Sequence, residues 1–505
     1  LLNNNNKHVN SDQFLIIGPN NYFLDYVSGV LPDLDVEMVN QTTITDLASY
    51  IVDEKFKIQN STSELKEYYS NGNISFESAI KNSEGFEEAL NKYVQDLINY
   101  YKTTDIKCYD KVIFSKDEIA RLLENVTGNY RSQIETIQKR LVKKVKDNYD
   151  KYYELLTSDI YEEARSLPKD SEKRKLLYDK TTLIGKDVKS GLSKIIKKHF
   201  EIINEKILLL YAGFIDNIEK YMDIDDVDTF KKITSKRLSK KILSKDDIAP
   251  VLYLKSQLDD IKVYDNIIHV VVDEAQDLGL LDFKVLKKII PNATFSIFGD
   301  LNQAIFSYRS VNDWDSVKDK VFDSNADIIM MNQSYRTTDE IMREANKISE
   351  FLTGTSSKDI IRHGNEVQYI SCDKNSEVLF AVEIIKEYQG NGYKSIGIIC
   401  KTEDETVKVN KQLAESGIIA RNVTPSDREY QGGLCTITCD LAKGLEFDAT
   451  LLMNVDSKNY NPSHDIDMKL LYVGMTRALH ETNVISSGEL PNILQKKGEK
   501  IKIKK

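Results

Sequence analysis

Cysteine is scarce in this sequence: five residues among 505, scattered at Cys108, Cys372, Cys400, Cys435 and Cys439. Such spacing does not describe a disulfide framework. Cys435 and Cys439 lie close together, but no second Cys or His pair accompanies them. Buried thiols in a reducing cytoplasm are therefore preferred over a zinc site. No apolar run approaches the roughly 20 residues a membrane helix needs, so no membrane partner is expected. The opening LLNNNNKHVN has neither the basic region nor the cleavage site of a signal peptide. It does not begin with Met, which suggests a fragment. The net charge of -10 excludes a globally basic nucleic-acid footprint. Any such binding must rest on local basic patches. What is present is a folded composition, 41% hydrophobic and 29% charged, over a length sufficient for two or more cores.

Three textures follow one another along the chain. Residues 1–50 read as α/β: the apolar run QFLIIG stops at Gly18-Pro19, the helical stretch NYFLDYVSGV follows, and a strand is expected near Val36. Residues 51–250 carry helical spacing almost throughout. Ser115-Lys-Asp-Glu118 has capping-box spacing, and Lys231–Lys245 is the densest basic run. The Lys-rich faces read as solvated helix surface before they read as a binding surface. From about residue 262 the α/β rhythm returns, with strands expected in IIHVVVDE, TFSIFGD, DIIMM, VQYIS, SIGIIC, LCTIT and ATLLMN. There are too many for one sheet, so they divide near residue 340 into 251–340 and 341–505. The expected fold is α/β: two parallel-sheet lobes, the first interrupted by a long helical insert.

The run VVVDEAQD ends a strand in two acids, at the edge where open α/β sheets place ligands. A carboxylate at Asp273 can orient Mg2+, and Glu274 can accept a proton from an attacking water. SIFGDLNQAIFSYRS then offers Gln303 after a second strand. NQSYRTTDE offers the flat ring of Tyr335 and the guanidinium of Arg336 for phosphate oxygens. LAKGLEFDA places Gly444 and Glu446 in a turn before a strand, and LLYVGMTRALHE puts Arg477 near the end of a helix. Each arginine alone reads as a surface residue. The order of the five elements is what carries weight.

DEAQD, GDLNQAIFSYR, QSYRTT, KGLEFD and LYVGMTRA resemble motifs II to VI of superfamily 1 helicases of the UvrD/Rep/PcrA type. IIGPN and QTTIT resemble the early motifs. The resemblance implies RecA-like lobes and binding of ATP with Mg2+. It implies that Asp273 holds the metal, Glu274 is the base, Gln303 contacts the terminal phosphate, and Arg336 and Arg477 stabilise its charge. Tyr335 would stack on adenine and Glu446 would bind the ribose. It also implies that Tyr308, with Phe306 nearby, stacks on a DNA base, and that Thr42 and Thr43 line a strand path. Core packing is the alternative for both rings.

Two departures are visible. No G-x-x-x-x-G-K-[ST] occurs, so the phosphate loop is expected in an upstream segment of the same protein. The gap between QSYRTT and KGLEFD is only about a hundred residues, enough for one lobe core. That pattern, with the long insert, resembles the HelD branch. It implies the motor portion of an ATPase that binds bacterial RNA polymerase and releases it from nucleic acid. The alternative is a cytoplasmic ATP-dependent single-stranded DNA translocase or helicase. The 505-residue chain by itself is expected to hydrolyse ATP poorly or not at all. Rapid phosphate release by the purified chain would refute this.

Overall fold

The computed structural model describes residues 10–31, 39–59, 64–65, 68, 73–331, 336–354, 362–429, 431–495 and 502–503. Two compact units form: Leu1–Ala48 with Ile58–Asn82 and Tyr264–Lys505, and Ser49–Lys57 with Ser83–Val263.

The first unit contains two parallel sheets. One has four strands, in the order Asn40–Thr43, Phe14–Gly18, His269–Val272, Thr294–Ile297. A parallel sheet covered on both faces selects continuous apolar runs. FLIIG and HVVV are such runs, and they bury Leu15, Ile17, Val270 and Val272. The register sets Ile17 beside both Thr42 and Val272, and Val272 beside Ile297. The ladder extends one residue further. Asp273 N–H donates to Ile17 O at 3.0 Å, and Phe298 N–H to Val272 O at 2.8 Å. Gly18, Thr43, Asp273 and Phe298 therefore leave the sheet at one carboxyl edge. Behind Gly18 the helix Asn21–Val30 starts where Asn20 Oδ1 accepts from Phe23 N–H at 2.8 Å.

The other sheet has seven parallel strands. Their order is Arg421–Asn422, Leu434–Thr438, Ile396–Cys400, Phe447–Leu452, Ala478–Ser486, Gln368–Ser371, Lys502–Ile503. Its inner strand IGIIC, third in that order, is buried at every residue. The helix Asp465–Met475 is buried from Ile466 to Met475. A helix apolar around most of its circumference belongs inside the core, and its far end delivers the chain to Arg477.

The second unit is helical. In Tyr130–Asp147 the buried residues Ile134, Ile137, Leu141 and Val145 fall on one face at helical spacing. Around Glu84–Thr103 the core is aromatic: Phe86 meets Phe214 edge-on, and Tyr93 OH donates to Leu210 O at 3.0 Å. The unit also carries one short hairpin, Ile106–Cys108 against Lys111–Phe114. Tyr109 and Asp110 turn it with φ of 47° and 63°. Two positive φ values make the tight turn that suits strand twist. Tyr-Asp is not its usual sequence, so the hairpin left no signal.

Two particulars differ from expectation. Ile58–Asn82 lies within the insert in sequence but packs in the first unit, where buried Leu65 joins Tyr22, Ile305 and Phe306. The run DIIMM forms no strand; Ile329 is 83% exposed and Met331 82%. Apolar composition does not make a strand without a ladder partner, and none is present among the described residues. The strand expected near Val36 falls outside the described residues. Among the described residues no helix is long and apolar enough to cross a membrane.

The five thiols are free, and all but Cys372 are buried. Burial pushes Cys435 and Cys439 up to about 12, so both stay protonated and inert. Alkylation of the native protein should therefore modify Cys372 first, with the other four reacting only after denaturation. Mass mapping of the adducts checks this.

Candidate active site

The carboxyl edge of the four-stranded sheet presents the acid pair. Glu274 follows Val272 and Asp273 with φ of 51°, a left-handed backbone uncommon for a side chain of this kind. Its N–H donates to Asp273 Oδ1 at 2.8 Å, which holds that carboxylate at the strand end. Gln276, fully buried, donates Nε2–H to Glu274 Oε2 at 2.6 Å and accepts from Asp300 N–H at 3.1 Å. The glutamine of DEAQ thus ties the ends of two neighbouring strands. Gln303 donates to Asp300 Oδ2 at 2.9 Å. Burial, and next the Glu274 charge, raise the Asp273 carboxyl above its ordinary range. The Glu274 N–H and the charges of Arg336 and Lys443 oppose that rise.

The amino edge of the seven-stranded sheet presents the bases. Arg477 sits between the core helix and the strand Ala478–Ser486, with only 1% exposure. Its Nε–H donates to Val473 O at 3.0 Å, and its Nη2–H to Gln303 Oε1 at 2.9 Å and Thr476 Oγ1 at 3.0 Å. Nη1 has no hydrogen-bond partner. Burial first, and then the Arg336 charge, push Arg477 down to about 10, so it remains a cation at neutral pH. Arg336 Nε lies 2.6 Å from Glu446 Oε1, close enough for an ion pair but not aligned for a hydrogen bond.

Lys443 was missed by the sequence reading, although it stands in LAKGLEFDA. It is buried; Nζ donates to Asp277 Oδ1 at 2.8 Å and Gln303 O at 2.7 Å, and lies 3.7 Å from Glu274 Oε2. Nothing local separates such a lysine from a solvated one. Gly444 has φ of 81°, and a Cβ there would come within 2.6 Å of Phe23 Cδ2. Glycine is required both by that backbone and by the close approach of this loop to the helix Asn21–Val30.

Asp273, Glu274, Gln303, Arg336, Gly444, Glu446 and Arg477 thus come together between the two sheets, joined by Lys443. Tyr335 lies outside the described residues. A polyanion with a divalent cation fits this set on one observation: a fully desolvated guanidinium retains an unpartnered N–H beside carboxylates that can face a cation. Asp339, Glu340 and His363 also gather their ligand atoms within 4.8 Å. Arg343 already answers those acids, 3.3 Å from Asp339 and 4.0 Å from Glu340.

The strand-path residues are less uniform. Phe306 is buried in the core, with Arg309 over its ring at 4.1 Å, and offers no open face. The choice left open between stacking and packing falls to packing for this ring. Thr43 is also buried; its hydroxyl donates to Asp46 Oδ2 at 3.0 Å and accepts from Asp46 N–H at 3.0 Å. It serves the start of the helix Ile44–Val52 rather than a groove. Thr42 is partly exposed, with its hydroxyl on Thr43 O at 3.1 Å. Tyr308 is half-buried.

Two parallel-sheet lobes facing each other across acids from one and cations from the other define a two-lobed α/β protein of the RecA-like class. The comparisons with known proteins go one step further. Residues 433–485 match the UvrD-like helicase C-terminal domain. A "Probable DNA helicase II homolog" of Mycoplasma capricolum is 32% identical over 158 residues, 30% of this chain and 22% of that protein. The ATP-dependent DNA helicase Rep of Buchnera aphidicola (subsp. Schizaphis graminum) is 26% identical over 38% of this chain and 30% of its own length. The ATP-dependent DNA helicase PcrA of Bacillus subtilis is 23% identical over 29% of this chain and 21% of its own. The chain thus spans less than a third of the length of these relatives. Together these similarities support the UvrD/Rep/PcrA family of superfamily 1.

Two substitutions test the junction of the lobes. Lys443→Ala strips a buried cation from Asp277 and should cost somewhat less than the roughly 3–5 kcal/mol of a fully buried pair, because Asp277 is partly exposed. Gly444→Ala should cost about 1–3 kcal/mol through overpacking on Phe23. Both should lower the denaturation midpoint, measured by circular dichroism; wild-type stability of either would refute the corresponding contact.

Proposed function

We propose that this chain is the motor part of an ATP-driven protein that moves on single-stranded DNA, of the UvrD/Rep/PcrA type. One observation carries the reading. Buried Arg477 of the second lobe bonds Gln303 of the first and keeps an N–H unpartnered within reach of the Glu274 charge. That is an arrangement suited to charge that appears between two lobes. The similarity to ATP-dependent DNA helicases supplies the substrate class.

In this reading Asp273 holds Mg2+, and Glu274, fixed by Gln276, accepts a proton from water. Gln303, Arg336 and Arg477 face the terminal phosphate, Tyr335 the adenine, and Glu446 the ribose. Gly444 lets the loop bearing Glu446 approach. Bound ATP with Mg2+ supplies the hydrolysis that drives the motor. Lys443 links the acid loop to the loop after the strand Thr294–Ile297, so closure of the lobes reaches Gln303 directly. Such a motor would act in the cytoplasm.

A second reading rests on the helical unit. More than two hundred residues separate QTTIT from DEAQ, and most of them fold as a compact body of their own. A HelD-like protein would use such a body to engage bacterial RNA polymerase. The comparisons favour the DNA motor, and one experiment separates the two: fluorescence anisotropy of a labelled oligothymidylate across a salt series. The DNA reading expects affinity to fall steeply, with a log–log slope of about -0.7 per phosphate contacted. Absence of DNA binding, with co-elution of core RNA polymerase instead, would overturn it.

A further inference from the structure

The half-buried ring of Tyr308 is already stacked. Tyr68 lies over it with ring centroids 5.8 Å apart and an interplanar angle of 13°. Tyr308 OH donates to Glu64 Oε1 at 3.1 Å, and Arg309 pairs with the same carboxylate. Glu64, Leu65 and Tyr68 are helical, so Glu64 and Tyr68, one turn apart, address the same neighbours. Leu65 anchors the segment in the core beside Ile305 and Phe306.

Set side by side, the two partners have complementary chemistry. Tyr308-Arg309 offers a flat ring and then a guanidinium. Glu64 and Tyr68 offer an anion and then a flat ring. A nucleotide of a single strand carries that same pair, a phosphate and a base face. The carboxylate meets the guanidinium where a phosphate would, and the tyrosine meets the ring where a base would. Both groups come from Ile58–Asn82, a stretch that lies between the two parts of the helical unit in sequence yet packs with the sheets.

We infer that the segment bearing Glu64 and Tyr68 is an internal mimic of a nucleotide, seated on Tyr308-Arg309 and displaced when single-stranded DNA binds. This rests on the DNA-motor reading of the preceding subsection. The mimic sets a threshold: a strand must compete with a tethered ligand, so free chain binds DNA more weakly than the open stacking site would. Glu64 and Arg309 are 4% and 6% exposed, and a desolvated pair of this kind does not open without a replacement anion. A phosphate is such a replacement.

The test measures oligothymidylate binding by anisotropy at constant salt for the full chain and for Tyr68→Ala, Glu64→Gln and Tyr308→Ala, each first checked for a wild-type circular dichroism spectrum. Tyr68→Ala should bind about tenfold more tightly, because stacking on a ring is worth roughly 1–3 kcal/mol per base. Glu64→Gln, which keeps the shape but drops the charge, should tighten binding and steepen the salt dependence, because Arg309 then meets a phosphate without a competing carboxylate. If Tyr308→Ala weakens binding while Tyr68→Ala and Glu64→Gln leave it unchanged or weaker, the mimic is overturned and the DNA motor stands. If no variant binds the oligothymidylate, the DNA reading falls and the mimic with it.

Discussion

A guanidinium buried to 1% exposure constrains everything around it. Removing Arg477 from water is costly, and protein groups must replace the lost hydration. Three acceptors do so: the Val473 carbonyl, the Thr476 hydroxyl and the side-chain carbonyl of Gln303. Two belong to the arginine's own lobe and the third to the facing one. The arginine therefore reports whether the lobes are together, and its unpartnered N–H reserves capacity for an anion arriving between them.

Lys443 adds a second tie of the same kind. It reaches Asp277 and the Gln303 carbonyl, so Gln303 is held through its side chain by one cation and through its backbone by another. Gly444 permits this approach, since any Cβ would strike Phe23. Acids at one sheet's carboxyl edge and cations at the other sheet's amino edge give the junction its polarity. The partial cancellation of charge explains why Asp273 is raised by burial yet restrained by Arg336 and Lys443.

Much of this was legible in the sequence, because the signals were local. HVVV and IGIIC are apolar runs with strand length, and DEAQ ends one of them. The order of acids, glutamine and arginines could be read without coordinates. The Gly444 turn was also visible, though the contact that requires it was not. DIIMM misled because strand propensity is a statement about composition, whereas a strand needs a partner edge. Thr43 misled, and Phe306 was left open, for a related reason: one motif position looks the same whether its side chain faces a groove or a core.

The sequence by itself determined the element types, the division into sheet and helical regions, and the chemical identity of the groups offered to a ligand. These depend on periodicity and on residues near one another in the chain. Tertiary structure decided which groups meet. Arg477 and Gln303 are separated by 174 residues, Lys443 and Asp277 by 166, and Tyr308 and Glu64 by 244. Contacts at such separations follow from parallel strand order and burial of the core helix. No local pattern encodes the face on which a distant residue will arrive.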